Sequence, residues 1–256
     1  MHSLFHSRVT APPPKAEPVP TVFPKIEGAD IAAVFVGKRI AGDFYDSIRA
    51  SPQRVLFGLL DVAGRREDNR GILTAAQEIF RNLGAELFSG SDVNESDAMT
   101  QLCLHLNRGI ISASREVHSC PAFIGCYHET FGTLCYTNAG HTPALLRDSS
   151  GIAELGSTGL PLGLFSHATC DAPIVGLEKG AALLLVSRGV VECGANHDRS
   201  ASAEEFGLER AKQGLLEAHP NRAQELCTFT LDVNGKFGAG VPMCDDRTAL
   251  ALIRTT

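Results

Sequence analysis

Four short stations, rich in acid or glycine, hold the residues of this chain best suited to chemistry. They are Gly42-Asp43-Phe44-Tyr45-Asp46, Asp61-Val62-Ala63-Gly64, Ser187-Arg188-Gly189 and Asp245-Asp246-Arg247-Thr248. Each lies at one end of a run that reads as a β-strand. Carboxylates at strand ends converge readily on one rim of a sheet, and a converged set of them binds a hard cation through oxygen. Arg188 is the complication, because a guanidinium cannot ligate a metal and keeps its charge at ordinary pH. Taken singly, each acid has a plainer reading: Asp43 caps a turn, Asp61 opens a loop with Gly64, and Asp245-Asp246 precede a closing strand. Together they ask for more, since a buried carboxylate without a partner is costly. Two near one rim need a metal, an arginine or water.

The turn Asn138-Ala139-Gly140-His141 adds an amide and an imidazole after a strand. Its plain reading is a β-turn whose asparagine tolerates unusual backbone angles.

The elements that must position these groups follow from periodicity. Ile31–Ile40, Phe44–Ile48 and Arg54–Leu60 read as strands, with Ser51-Pro52 as a turn. Ile72, Leu73, Ala76, Ile79, Phe80, Leu83 and Leu87 step at three and four, which predicts a helix over 70–88. Met99, Leu102, Leu106, Ile110 and Ala113 predict a second, with Gly90–Asp97 as the loop between. A hairpin of Ala122–Glu129 and Thr133–Thr137 follows, then Pro143–Leu146 and the buried run Ala181–Val186. Glu204–Ala218 and Arg222–Val233 read as helices and Thr248–Ile253 as the last strand. This order predicts an α+β domain of two antiparallel sheets with helices outside. Residues 1–28 are proline-rich and read as a tail or linker, and residues 29–256 form the domain.

Composition excludes several classes. The chain has 256 residues, 44% of them apolar, and a formal charge of −6 with no basic block. That argues against nucleic acid and an anionic membrane as partners. No run is long enough to cross a bilayer and no signal peptide is visible. Eight scattered cysteines without a C-x-x-C pair (Cys103, Cys120, Cys126, Cys135, Cys170, Cys193, Cys227 and Cys244) read as buried thiols. Thiols of that kind suit a reducing, cytoplasmic compartment.

In order and combination these stations resemble the PPM-type, metal-dependent protein serine/threonine phosphatases, in the SpoIIE/RsbU branch. The resemblance rests on the Asp43 and Asp61 stations, on Asn138-Ala139-Gly140-His141-Thr142-Pro143 and on Gly159-Leu160-Pro161-Leu162-Gly163. It continues through Leu183-Leu184-Leu185-Val186 into Gly189-Val190-Val191-Glu192 and ends on Asp245-Asp246-Arg247-Thr248. It implies a four-layer α-β-β-α sandwich with two Mn²⁺ or Mg²⁺ ions on one edge. In the family the aspartate matching Asp61 bridges both ions, and those matching Asp43 and the Val62 carbonyl serve the second. The one matching Asp245, with Asp246 beside it, serves the first. Asn138, Gly140 and His141 form a supporting loop. The implied reaction is attack of a metal-activated water on phosphoserine or phosphothreonine of a partner protein. By family analogy that partner belongs to a sigma-factor control circuit, such as a phosphorylated anti-sigma-factor antagonist.

The chain departs from the family where a Thr/Ser-Asp-Gly motif supplies a ligand to the first ion. It reads Ser187-Arg188-Gly189 there. A unit positive charge about 4 Å from a divalent ion costs several kcal/mol even at an effective dielectric near 20. Three arrangements are open. Arg188 pairs with Asp61 and Asp245 and fills the site, or it swings outward to bind substrate phosphate, or a nearby acid such as Glu192 or Asp198 replaces the lost ligand. Two functions follow: a phosphatase weakened by Arg188, or an inactive pseudophosphatase that binds a partner. The run Arg65–Arg70 also departs, being densely charged where the family has a small, glycine-containing turn and an alanine-rich helix.

Overall fold

Fifteen elements follow one another in a computed structural model, which describes residues 18–37, 42–62, 64–114, 118–194, 205–218, 221–240 and 245–256. They are β1 (Ala29–Val36), β2 (Gly42–Ser51), β3 (Arg54–Val62), α1 (Arg66–Leu87), α2 (Glu95–Ala113), β4 (Ala122–His128) and β5 (Thr133–Ala139). Then come β6 (Ala144–Asp148), β7 (Gly151–Leu155), β8 (Ile174–Gly176), β9 (Ala182–Val186), α3 (Arg188–Val191), α4 (Gly207–Glu217), α5 (Ala223–Phe237) and β10 (Arg247–Arg254). The strands form two antiparallel five-stranded sheets, ordered β1-β10-β9-β6-β7 and β2-β3-β4-β5-β8. This is the α+β, four-layer α-β-β-α sandwich expected of the sequence.

Alternation along the strands builds three cores. On β3, Val55, Phe57 and Leu59 face the other sheet, while Leu56, Leu60 and Val62 face α1 and α2. The opposite sheet answers with Leu183 and Leu185 of β9 and Leu250 and Leu252 of β10. Its outer face, with Leu184, Val186, Ala249 and Ala251, packs on Leu215 of α4 and Leu226 and Leu231 of α5. Strands covered on both faces lose the polar-out pattern, which is why Ala181–Val186 reads as a continuous apolar run.

Several boundaries differ from expectation. α1 begins at Arg66, so the charged run is helical from its second residue, and Asn69 within it is buried. α2 takes the last three residues of the expected Gly90–Asp97 loop, because the Asn94 side chain accepts a hydrogen bond from the Asp97 amide at 3.3 Å and caps the helix. β1 closes at Val36, and residues 38–40 of the expected strand lie outside the described residues. β7, β8 and α3 were not expected. Residues 18–25 have no regular secondary structure, yet they lie against the body. The Val19 amide donates to Gln77 Oε1 at 2.6 Å, Gln77 Nε2 donates back to the Val19 carbonyl at 2.8 Å, and Phe23 stacks on Tyr45.

Candidate metal centre

The parity that fills the inter-sheet core also places the site. Leu59, Leu185 and Leu250 point between the sheets. Two positions beyond them toward the rim, on the same face, stand Asp61, Ser187 and Thr248. On β2, Tyr45 packs on the same core, and two residues back Asp43 takes the same face. The site is thus the polar continuation of the core at one open end of the sandwich.

Asp43 and Asp61 are direct register partners across β2 and β3, so their Cβ atoms sit side by side. Both are buried, with 7% and 5% of their surface exposed. Thr248 Oγ1 donates to Asp43 Oδ2 at 2.7 Å, and the Thr248 amide donates to Ser187 Oγ at 3.0 Å. Burial and the neighbouring Asp61 charge push the Asp43 carboxyl up to about 7, against the hydrogen bonds from Thr248 and Ser187. Burial likewise raises Asp61, and the Arg188 charge opposes that rise.

Arg188 opens the short α3 and reaches back over the rim. Its Nη2 donates to Asp245 Oδ2 at 3.1 Å and its Nε lies 3.8 Å from Asp61 Oδ2. Asp61, Asp245 and Glu192 together hold its pKa above the ordinary arginine value, against partial burial. The guanidinium therefore stands between Asp61 and Asp245, and Asp43 is the register partner of Asp61 on the neighbouring strand. Asp246 is buried with its carboxylate against Gly37 at the end of β1. Asp198 lies outside the described residues, as do Ala63 and Cys244.

Backbone closeness fixes the rim. A Cβ on Gly189 would fall 2.0 Å from the Asp246 carbonyl oxygen, and one on Gly42 would fall 2.1 Å from the Val62 carbonyl oxygen. Glycine is required at both positions. The supporting turn is organised by Asn138, whose Oδ1 accepts from the His141 amide at 2.8 Å and whose Nδ2 donates to the Leu155 carbonyl at 3.1 Å. Gly140 has φ +69° and faces Pro161. His141 donates from Nδ1 to the Thr142 carbonyl at 3.0 Å, which leaves buried Nε2 without a hydrogen bond. Burial holds this imidazole down at about 4, so it stays neutral.

The donor set fits a divalent cation in part. Asp43, Asp61 and a strand-end carbonyl are the hard oxygen donors that Mg²⁺ or Mn²⁺ takes. Between Asp61 and Asp245 a fixed cation already stands, and the residues there do not fit a second ion. Sequence reasoning assigned no role to Thr248 and Ser187, which tie Asp43 to the opposite sheet. Their signal was strand parity, which puts both on the inner face with the two aspartates.

A model of the family described as stage II sporulation protein E matches residues 51–255. Protein IcfG of Synechocystis is 24% identical over 92% of this chain and 39% of its own length. The phosphoserine phosphatase RsbU of Bacillus subtilis is 26% identical over 91% of this chain and 66% of its own. The chain thus spans about two fifths of the first relative and about two thirds of the second. Among solved structures, the RsbU and RsbW domains of a Mycobacterium tuberculosis protein superpose with a TM-score of 0.70 at 23% identity, covering 91% of this chain and 62% of that one. The catalytic domain of the serine threonine protein phosphatase PstP, in complex with two manganese ions, superposes at 0.61 with 13% identity, over 89% and 99%. These superpositions establish the fold.

Proposed function

Because this chain belongs to the SpoIIE family of PPM-type phosphatases, we propose that it is a protein serine/threonine phosphatase of low activity that works with one divalent cation, Mn²⁺ or Mg²⁺. Asp43, Asp61 and the Val62 carbonyl would hold the ion. The observation that carries this reading is the pairing of Asp43 and Asp61: two buried carboxylates face each other, and Arg188 approaches Asp61 no nearer than 3.8 Å.

When bound, the ion would supply Lewis-acid charge to a phosphoryl oxygen and to a water. The remaining work falls to the chain. Thr248 and Ser187 hold Asp43 in place, and the Gly42 and Gly189 approaches keep the rim narrow. Arg188, about half exposed at 49% of its side-chain surface, presents planar N–H donors suited to phosphoryl oxygens. It would take over the charge neutralisation of a first ion but not the activation of water. That substitution accounts for a low rate.

The substrate fitted to this reading is a phosphoserine or phosphothreonine on a partner protein. The name of the RsbU relative as a phosphoserine phosphatase supports that class. An anti-sigma-factor antagonist is our candidate partner. The seven described cysteines are buried and free of disulfides, which supports a cytoplasmic site of action. No helix among the described residues is long and apolar enough to cross a membrane.

A second reading is supported by the ion pairs themselves. If Arg188 keeps Asp61 and Asp245 engaged, the protein is a pseudophosphatase that binds its partner without turnover. Manganese titration by calorimetry, with a phosphoserine-peptide assay, separates the two. One bound ion, slow metal-dependent turnover, and a gain of tenfold or more in Arg188→Asp support the weak phosphatase. No binding and no turnover in the wild type, with both restored in Arg188→Asp, favour the second reading. Two bound ions and equal rates in both proteins defeat both.

A further inference from the structure

The sulfur atoms of Cys103 and Cys170 are in contact at 2.9 Å, and neither belongs to the acidic stations of the rim. Cys103 lies on the buried face of α2, and Cys170 closes the short surface segment that begins at Phe165. Both belong to the core under α1 and α2, with 1% and 4% of their surface exposed. Their separation lies between a bonded pair, at about 2.05 Å, and ordinary packing. The two thiols are 67 residues apart in sequence, so the fold and not the local chain brings them together. Thr100 Oγ1 reaches the Cys170 carbonyl at 3.4 Å. A Cβ on Gly159 would fall 2.6 Å from Cys170 Sγ. Cys170 is thus clamped between α2 and the Gly159 segment, with its sulfur aimed at Cys103.

We propose that Cys103 and Cys170 form a reversible disulfide, closed by a hydroperoxide and reopened by a dithiol. The thiolate of one cysteine attacks the peroxide oxygen, forming a sulfenic acid and releasing hydroxide, which takes up a proton to leave as water. The second sulfur then attacks the first and expels the hydroxyl group as a second water. The sulfurs lose two electrons, and the O–O bond of the peroxide takes them up. Two thiols and one hydrogen peroxide become one disulfide and two waters.

The asymmetry of the pair orders these steps. Cys103 donates its S–H to Cys170. That hydrogen bond favours the Cys170 thiolate and holds its pKa below the ordinary thiol value, while the same contact and burial push Cys103 up. The thiolate is the nucleophile, so Cys170 reacts first and Cys103 resolves. Cys170 is also the nearer to solvent, with 4% of its surface exposed against 1% for Cys103.

The closed bridge would fasten α2 to Cys170, which pairs with Gly159 of a neighbouring segment. The Thr158 and Gly159 amides of that segment both donate to the Asn138 carbonyl, at 2.8 and 3.2 Å. The bridge would therefore brace the turn beside the catalytic rim without touching an aspartate. This inference stands independently of the phosphatase reading.

The test uses the full-length reduced protein and hydrogen peroxide. Intact mass and a non-reducing peptide map should show a loss of about 2 Da and one crosslinked peptide joining Cys103 to Cys170, both reversed by dithiothreitol. The melting temperature should rise by about 5–10 °C on closure of a loop of this length. With the sulfenic-acid reagent dimedone, Cys103→Ser should be labelled at Cys170, and Cys170→Ser should leave Cys103 unlabelled. Cys126 and Cys135, opposite each other on β4 and β5, are the internal control. A bridge between those two, a sulfinic acid at Cys170 without a crosslink, or eight intact thiols at saturating peroxide would overturn the proposal. The peptide map is made on the wild type, so its result does not depend on either variant folding.

Discussion

At the scale of single residues, the site is decided by which charge faces which. Asp43 has a like charge opposite it and one strong hydrogen bond from Thr248. Thr248→Val keeps the shape and removes that bond. We expect its manganese affinity to fall about tenfold, the worth of one charge-assisted hydrogen bond, while urea denaturation moves little. Calorimetry beside a denaturation curve checks this, and equal affinity in both proteins would show that Thr248 does not position Asp43. His141 gives a pH signature of opposite sense. Its folded value of about 4 lies below the ordinary 6.5, so the unfolded chain binds a proton that the folded chain refuses. The stability it contributes is complete above the unfolded value and is lost as pH falls through 6.5 toward 4. The loss between pH 7 and pH 5 is about 2 kcal/mol from this group. Asp43 works the other way in the metal-free protein: its value is raised from 3.8 to about 7, so stability declines as pH rises across that interval. Urea titrations of His141→Gln should show the acid-side loss reduced by about 2 kcal/mol relative to wild type. An unchanged pH slope would place the imidazole in water.

At the scale of elements, a few polar ties decide how helices and turns sit on the sheets. Arg54 on β3 holds Glu95 at the start of α2 at 2.6 Å and the Gly90 carbonyl at 2.7 Å, and both side chains are buried. Removing one member of such a pair strands the other charge, so Glu95→Gln should cost about 3 kcal/mol by urea denaturation. A change under about 1 kcal/mol would mean that water reaches this pair. Gly189→Ala should be costlier for the site than for the core. Its methyl would push the β9–α3 turn off β10, and we expect manganese-dependent turnover to drop more than about tenfold at a stability cost of about 2 kcal/mol. Much of this level was legible in the sequence. The 3.6-residue stepping found α1 and α2, and the alternating and continuous apolar runs found β2, β3, β4, β5, β9 and β10. β7 was missed because its edge position leaves Ala153 and Glu154 exposed, with no apolar stripe to read. β8 has three residues and α3 four, too few for any period. The start of α2 was available in Asn94 and Asp97, a capping pair that the polar look of the segment concealed. The motif order pointed to the rim, but the grip of Thr248 on Asp43 spans 205 residues and exists only once the two sheets face each other.

At the scale of the whole molecule, the two sheets meet through one apolar layer that becomes polar at the rim holding Asp43 and Asp61. Site and core are one surface at different depths, which couples their tolerances. The β2–β3 hairpin shows this most plainly. Asp43 faces Asp61 because the pairs from Phe44 with Leu60 down to Ser51 with Arg54 keep count, with one irregularity between Arg49 and Ser51. Strand side chains repeat every two residues. Deleting one residue from the Ser51–Gln53 bend would therefore rotate the whole outgoing strand by half a repeat, turning Asp61 toward the helices and Leu60 toward the neighbouring sheet. Deleting two would keep the acid on its face and merely slide it past its opposite number. Natural length variation at this bend should accordingly come in even steps, and a chain carrying an odd one would have lost the acid proposed to hold the cation through arithmetic alone, with every letter of the surrounding motif intact.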